Sequence, residues 1–178
     1  VNIIRLRPSP LEVILGGARE LFPGYFALVM ATGVVSIACQ LLGLRWIAAP
    51  LLGVAWTSYL VLWGLTLVRA ALFPQRIALD LSDHQRAPGF FTIVAATCVL
   101  GTQSAVVAGL TNVAGALWLL GLGLWFVVMD AFFTAVTIRA HKPSLAQGIN
   151  GAWLIAAVAT QSIVVLKGTL GATLPPSP

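Results

Sequence analysis

The chain has 178 residues, 59% of them hydrophobic and 8% charged, with a mean hydropathy of +0.97 and a formal net charge of +5. A water-soluble domain carries about a quarter charged residues, so this composition excludes a fold whose whole surface meets water and indicates an integral membrane protein. The basic balance does not argue for a nucleic-acid partner, because cations placed between membrane spans report topology.

In chain order, residues 1–22 form an amino-terminal segment. Ser9-Pro10-Leu11-Glu12 has the capping-box spacing with proline at the first helical position. Leu11, Val13, Ile14, Leu15, Leu21 and Phe22 supply the apolar side of a short interfacial helix; a frayed tail is the competing reading. Five apolar runs follow, at Gly24–Leu44, Ile47–Val68, Phe90–Gly109, Val113–Ile138 and Gly151–Leu166. Lipid admits only helices and closed barrels, and runs that are continuously apolar, without alternation, exclude the barrel. The first run is too long for the apolar region of a secretory signal and no small-residue cleavage site follows it. Residues 23–167 are therefore read as an all-α transmembrane domain and residues 168–178 as a tail at a truncation point. The prolines are read as lying outside the span interiors, which leaves Gly33, Gly101 or hydroxyl back-bonding as sources of any kink.

The cations orient the spans. Arg5, Arg7 and Arg19 precede the first, Arg69, Arg76 and Arg86 fill the second connection, and Arg139 and Lys142 fill the fourth, against Arg45 and Lys167 on the other side. The positive-inside rule predicts a multi-pass protein of the cytoplasmic membrane with a cytoplasmic amino terminus.

The spans contain a repeat. Residues 23–35 read PGYFALVMATGVV and residues 88–100 read PGFFTIVAATCVL, identical at seven of thirteen positions at an offset of 65. The fifth span is a weaker copy: Asn150-Gly151-Ala152-Trp153 stands where Pro-Gly-Phe-Phe stood, and Ala159-Thr160-Gln161-Ser162 echoes Gly101-Thr102-Gln103-Ser104. The repeating unit is a hairpin of one odd and one even span. Odd spans are rich in Ala, Gly, Ser and Thr, whereas even spans carry Trp56, Tyr59, Trp63, Trp118, Trp125, Phe126, Phe132 and Phe133. Small and hydroxylated residues allow close backbone approach or face a polar lumen, and bulky ones suit lipid. This predicts odd helices inside and even helices outside, arranged about an axis along the membrane normal.

Three motifs, FPGYFALVMATGVVSIA at Phe22 to Ala38, DHQRAPGFFT at Asp83 to Thr92 and INGAWLIAAVATQS at Ile149 to Ser162, together resemble the tellurite-resistance/dicarboxylate transporter family, which includes malate permeases and slow anion channels. The resemblance runs through all five spans. It implies a ten-helix bundle of five hairpins with quasi-fivefold symmetry, odd helices lining a central pore, a homotrimer, and transport of small anions such as C4-dicarboxylates. It also implies that this chain is the amino-terminal half of such a unit, without the ninth helix that bears the family's gating phenylalanine.

Candidate site residues follow from the odd spans. Thr32, Ser36 and Gln40 share a face of the first; Thr97, Gly101, Thr102, Gln103 and Ser104 cluster on the third; Thr160, Gln161 and Ser162 are the polar part of the fifth. Hydroxyl and amide donors without fixed charge partly replace an anion's hydration shell while letting it leave. The competing role is interhelical hydrogen bonding. Phe26 and Phe91 are repeat equivalents that suit either a constriction or aromatic packing. Arg76, Arg86, Arg139 and Lys142, with His84 and His141 nearby, make the cytoplasmic mouth positive, which concentrates anions or merely enforces topology. Asp130, an acid inside the fourth span, suits proton coupling or a pairing with Arg139 near the interface.

Covalent chemistry finds no support. Cys39 and Cys98 are read as free thiols without metal spacing, the histidines lie in connections and do not suit haem ligation, and Gly121-Leu122-Gly123 lacks the strand and loop of a nucleotide site. The expectation is a transporter or channel with lipid and a small anion as partners, with no cofactor and no enzyme activity. The alternatives are a non-conducting membrane scaffold, or an inactive fragment.

Overall fold

A computed structural model of the protein describes residues 9–83, 85–138 and 151–173. The described residues are helical, with no strands: α1 Pro10–Arg19, α2 Ala27–Leu41, α3 Arg45–Leu72, α4 Pro74–Ser82, α5 Phe91–Ala108, α6 Thr111–Ile138 and α7 Leu154–Thr173. Single turns of 3-10 helix, Pro23–Phe26, Ala87–Phe90 and Gly151–Trp153, lead into α2, α5 and α7. Among the described residues five helices are long and apolar enough to cross a membrane, and this is a multi-pass membrane protein.

Local chemistry sets the boundaries. Ser9 and Glu12 form the anticipated capping box: the Ser9 N–H donates to the Glu12 carboxylate at 2.8 Å and the Glu12 N–H to the Ser9 hydroxyl at 3.3 Å. α2 and α5 each end at a glycine in the left-handed region, Gly43 at φ +79° and Gly109 at φ +67°, where a side chain would be strained. Both hairpins therefore turn on the same device. Two sequence boundaries move. α3 begins at Arg45 and contains Pro50, so the prolines are not all outside the spans; at the sixth residue of a helix, proline withdraws only the donor that would reach the Trp46 carbonyl. α7 runs to Thr173 rather than ending near Leu166, because Lys167 and Gly168 through Thr173 continue the last turns.

Three helices lie over two. α2 and α7 pack on either side of α5, while α3 crosses behind α2 and α5, and α6 behind α5 and α7. The consequence is a central α5: 78% of its span is buried, against 17–22% for each of the other four. Glycines mark the crossings, as expected where small residues admit backbones. A methyl group on Gly33 of α2 would stand 2.6 Å from a Val99 methyl, one on Gly101 2.7 Å from Leu166 of α7, and one on Gly121 of α6 2.5 Å from the Cys98 sulfur. α2 and α5 continue through Gly33 and Gly101 without a break.

The repeat meets itself in space. The Pro23-Gly24 and Pro88-Gly89 turns pack together, and a methyl on Gly89 would lie 3.0 Å from the Gly24 backbone nitrogen. The Thr92 hydroxyl reaches the Pro23 carbonyl at 2.9 Å. The shared Pro-Gly motif is thus a contact between hairpins as well as a helix start.

Candidate functional site

The polar residues of the inner helices fall into two groups, and hydrogen bonding separates them. In the first group, a hydroxyl on an inner helix donates to the carbonyl four residues earlier and accepts from an aromatic donor on an outer helix. Thr97 donates to Ile93 at 2.7 Å, so the Tyr59 hydroxyl donates to Thr97 at 2.9 Å. Ser104 donates to Leu100 at 2.8 Å and accepts from the Trp56 indole at 3.2 Å. Thr160 donates to Ala156 at 3.0 Å and accepts from the Trp125 indole at 3.0 Å. Ser36 joins the same helices differently, donating to the Ala48 carbonyl of α3 at 2.8 Å. In hydrocarbon an unpaired donor is costly, and these bonds tie α3 to α2 and α5, and α6 to α7. Tyr59, Trp56 and Trp125 therefore face the inner layer with their donors, not lipid alone. Their signal in the sequence was the donor that Tyr and Trp must satisfy when buried.

Phe26 and Phe91 also turn outward, toward the even helices. Phe26 meets Tyr59 and Trp63 edge-on with centroids 6.1 Å away in each case, and Phe91 meets Phe132 at 5.3 Å. Both are fully buried, with their rings packed against aromatic side chains of the even helices.

The second group lies near the side of α5 that α3 and α6 leave uncovered. Between Phe91 and Ala105 every residue of α5 is buried except Val99, which is half-buried, as is Val106 one heptad on. Gly33 contacts Val99 from α2, placing this face next to α2. At about 100° per residue, Val34 of α2 and Val158 and Val165 of α7 turn toward the same side, and all three are exposed. Thr102, whose hydroxyl donates to Cys98 at 3.1 Å, borders the face. So does Gln103, completely buried, whose amide nitrogen and oxygen both lack a hydrogen-bond partner. A methyl on Gly33 would approach the Gln103 oxygen to 3.4 Å; the absence of a side chain there makes room for the amide.

The other sequence candidates are dispersed. Thr32 and Gln40 are half-buried on α2, while Gln161 is exposed and Ser162 is buried, donating to Ala159 at 2.7 Å. Gly101 is a crossing point. Asp130 is exposed and lines a shallow groove with Ala78, Leu81 and Ser82 of α4. Arg139 and Lys142, with His84 and His141, lie outside the described residues.

The cations of the second connection are only partly free. Arg69, counted as a topology signal, is buried within α3; it donates to the Leu21 carbonyl at 2.6 Å and to Asp80 of α4 at 2.7 Å. Arg86 pairs with the other Asp80 oxygen at 3.2 Å and lies over the Phe22 ring at 5.5 Å. One buried carboxylate thus gathers two arginines and joins α3, α4 and the turn before α5, while Arg69 also ties α3 to Leu21 beyond the end of α1. Arg76 alone of the described mouth cations is exposed without an ion pair.

A protein-family model described as a voltage-dependent anion channel, SLAC1, matches residues 20–178. The chain belongs to the SLAC1 family. Comparison with curated proteins and with solved structures gives no match. For a SLAC1-family chain the division of the inner-helix polar residues is informative: those bonded to outer helices build the scaffold, and Gln103 beside the Val99 face is left with unused donors. Among the described residues no cluster of three His, Cys, Asp or Glu side chains suits a metal ion.

Proposed function

We propose that the protein carries small anions, C4-dicarboxylates among them, across the cytoplasmic membrane along the uncovered side of α5 between α2 and α7. The observation that supports this most directly is Gln103: a fully buried amide with both polar atoms unpaired, next to the valine-lined face. Buried polar groups are almost always paired, and an amide N–H held ready in an apolar setting replaces part of an anion's hydration shell without the trapping that a fixed charge brings. The apolar wall of Val34, Val99, Val158 and Val165 is consistent with weak binding and fast release. Thr97, Ser104 and Thr160 act in packing, and Thr32 and Gln161 contribute at the margins. The amino terminus is cytoplasmic, and three subunits associate, each with its own route.

The test is anion flux into liposomes containing the protein, with malate, succinate and chloride offered separately. Flux above empty vesicles is expected, and Gln103→Leu lowers it about tenfold, the loss of one hydrogen bond to a charged group, while detergent-extracted protein keeps its elution profile. Flux no greater than in empty vesicles refutes transport. Wild-type flux in the folded Gln103→Leu variant refutes the assignment of Gln103. A non-conducting scaffold predicts the first of these results.

A further inference from the structure

Where α3 ends, the chain turns through Leu72, Phe73 and Pro74 into α4, and the end of α1 lies beside the turn. Between them is a groove of about 670 Å³ whose lining includes Arg19 of α1, Leu72 and Phe73 of the turn, and Gln75, Arg76 and Leu79 of α4. Arg19 and Arg76 are both exposed, and among the described residues neither has an ion pair, since Asp80 is taken by Arg69 and Arg86. Among the described residues no carboxylate lines the groove. The first turn of α4 has no side-chain cap and no acidic residue, so its positive dipole end is uncompensated.

Depth in the membrane follows from α3. Its 28 residues extend about 42 Å at about 1.5 Å per residue, against a hydrocarbon core of about 30 Å. Arg45 and Arg69 bracket the apolar stretch, so the turn beyond Arg69 stands among lipid head groups. A groove at that level is lined by two cations, an amide, leucine and phenylalanine. It matches a molecule with a phosphate at one end and an acyl chain at the other.

We propose that this groove binds an anionic phospholipid, with Arg19 and Arg76 on the phosphate and Leu72, Phe73 and Leu79 along the upper acyl chain. Two unopposed arginines select a head group with net negative charge over a zwitterionic one. The assignment stands apart from anion transport.

The experiment is native mass spectrometry of the full protein in detergent, titrated with phosphatidylglycerol, with phosphatidylcholine of the same acyl chains, and with inorganic phosphate. Phosphatidylglycerol binds in preference to phosphatidylcholine, and Arg19→Gln with Arg76→Gln weakens it about 30-fold, about fivefold for each arginine. Arg45→Gln, at the opposite end of α3, leaves it unchanged. The single variants, at exposed positions, report on folded protein alongside the double variant. Equal binding of the two lipids overturns the proposal, as does undiminished phosphatidylglycerol binding in the double variant. Displacement of the lipid by millimolar inorganic phosphate overturns it in favour of a free phosphate ligand.

Discussion

Replacing Asp80 with alanine gives the sharpest test of how the amino-terminal side of this bundle is held. Asp80 is nearly buried, accepts a hydrogen bond from Arg69 at 2.7 Å and forms an ion pair with Arg86 at 3.2 Å. Arg86 is partly exposed and re-solvates when the carboxylate is removed, whereas Arg69, at 3% exposure, keeps only the Leu21 carbonyl. Stranding a buried charge costs about 3–5 kcal/mol. At about 2–4 °C per kcal/mol for a chain of this length, the midpoint for thermal loss of the monodisperse peak in detergent falls by about 6–20 °C. Arg69→Met with Asp80→Leu removes both charges and recovers most of that loss, because an apolar pair of similar volume is often no worse than a buried ion pair. A midpoint within about 2 °C of wild type for Asp80→Ala, a shift worth under about 1 kcal/mol, refutes the burial argument. A double variant as unstable as the single one refutes the stranded-charge explanation and assigns the loss to packing.

Gly89→Ala places a methyl 3.0 Å from the Gly24 backbone nitrogen, which cannot swing aside; overpacking of about 1–3 kcal/mol lowers the same midpoint. Gly64→Ala, with nothing within 4 Å of the new methyl, holds or raises it, since alanine favours the helix by up to about 1 kcal/mol. Tyr59→Phe and Thr97→Val each destabilise by about 0.6–1.7 kcal/mol; their double variant costs less than the sum, and a purely additive cycle contradicts the Tyr59–Thr97 bond. Ser9→Ala removes the cap of α1 and speeds amide exchange in residues 11–13 by about fivefold, from about 1 kcal/mol of helix stability, without altering exchange in α5.

The existence and approximate extent of the five spans were legible in the sequence because lipid forces long apolar runs into helices, whatever their neighbours. The capping box at Ser9 and the hairpin repeat were equally visible, since both are written in residue type and spacing. The layering of small-residue helices against aromatic ones was also readable, from composition. Charge placement was less so: Arg69 and Arg86 counted as solvated topology signals until α4 folded back and presented Asp80 to both. That contact joins residues in different elements, and nothing in local spacing announces it.

The same limit governs the site. From sequence alone, Thr97, Ser104, Thr160 and Gln103 were equivalent polar residues on inner helices, each able to line a lumen or bond a neighbour. Only the packing of α3 and α6 behind α5 divides them, because it brings Tyr59, Trp56 and Trp125 within reach of three hydroxyls and brings no donor or acceptor to Gln103. Sequence determined that this chain is a repeated, membrane-spanning bundle with small residues on its odd helices. Tertiary structure decided which polar groups are consumed in holding that bundle together and left the Gln103 amide outside them, since hydrogen-bond satisfaction depends on partners distant in the chain.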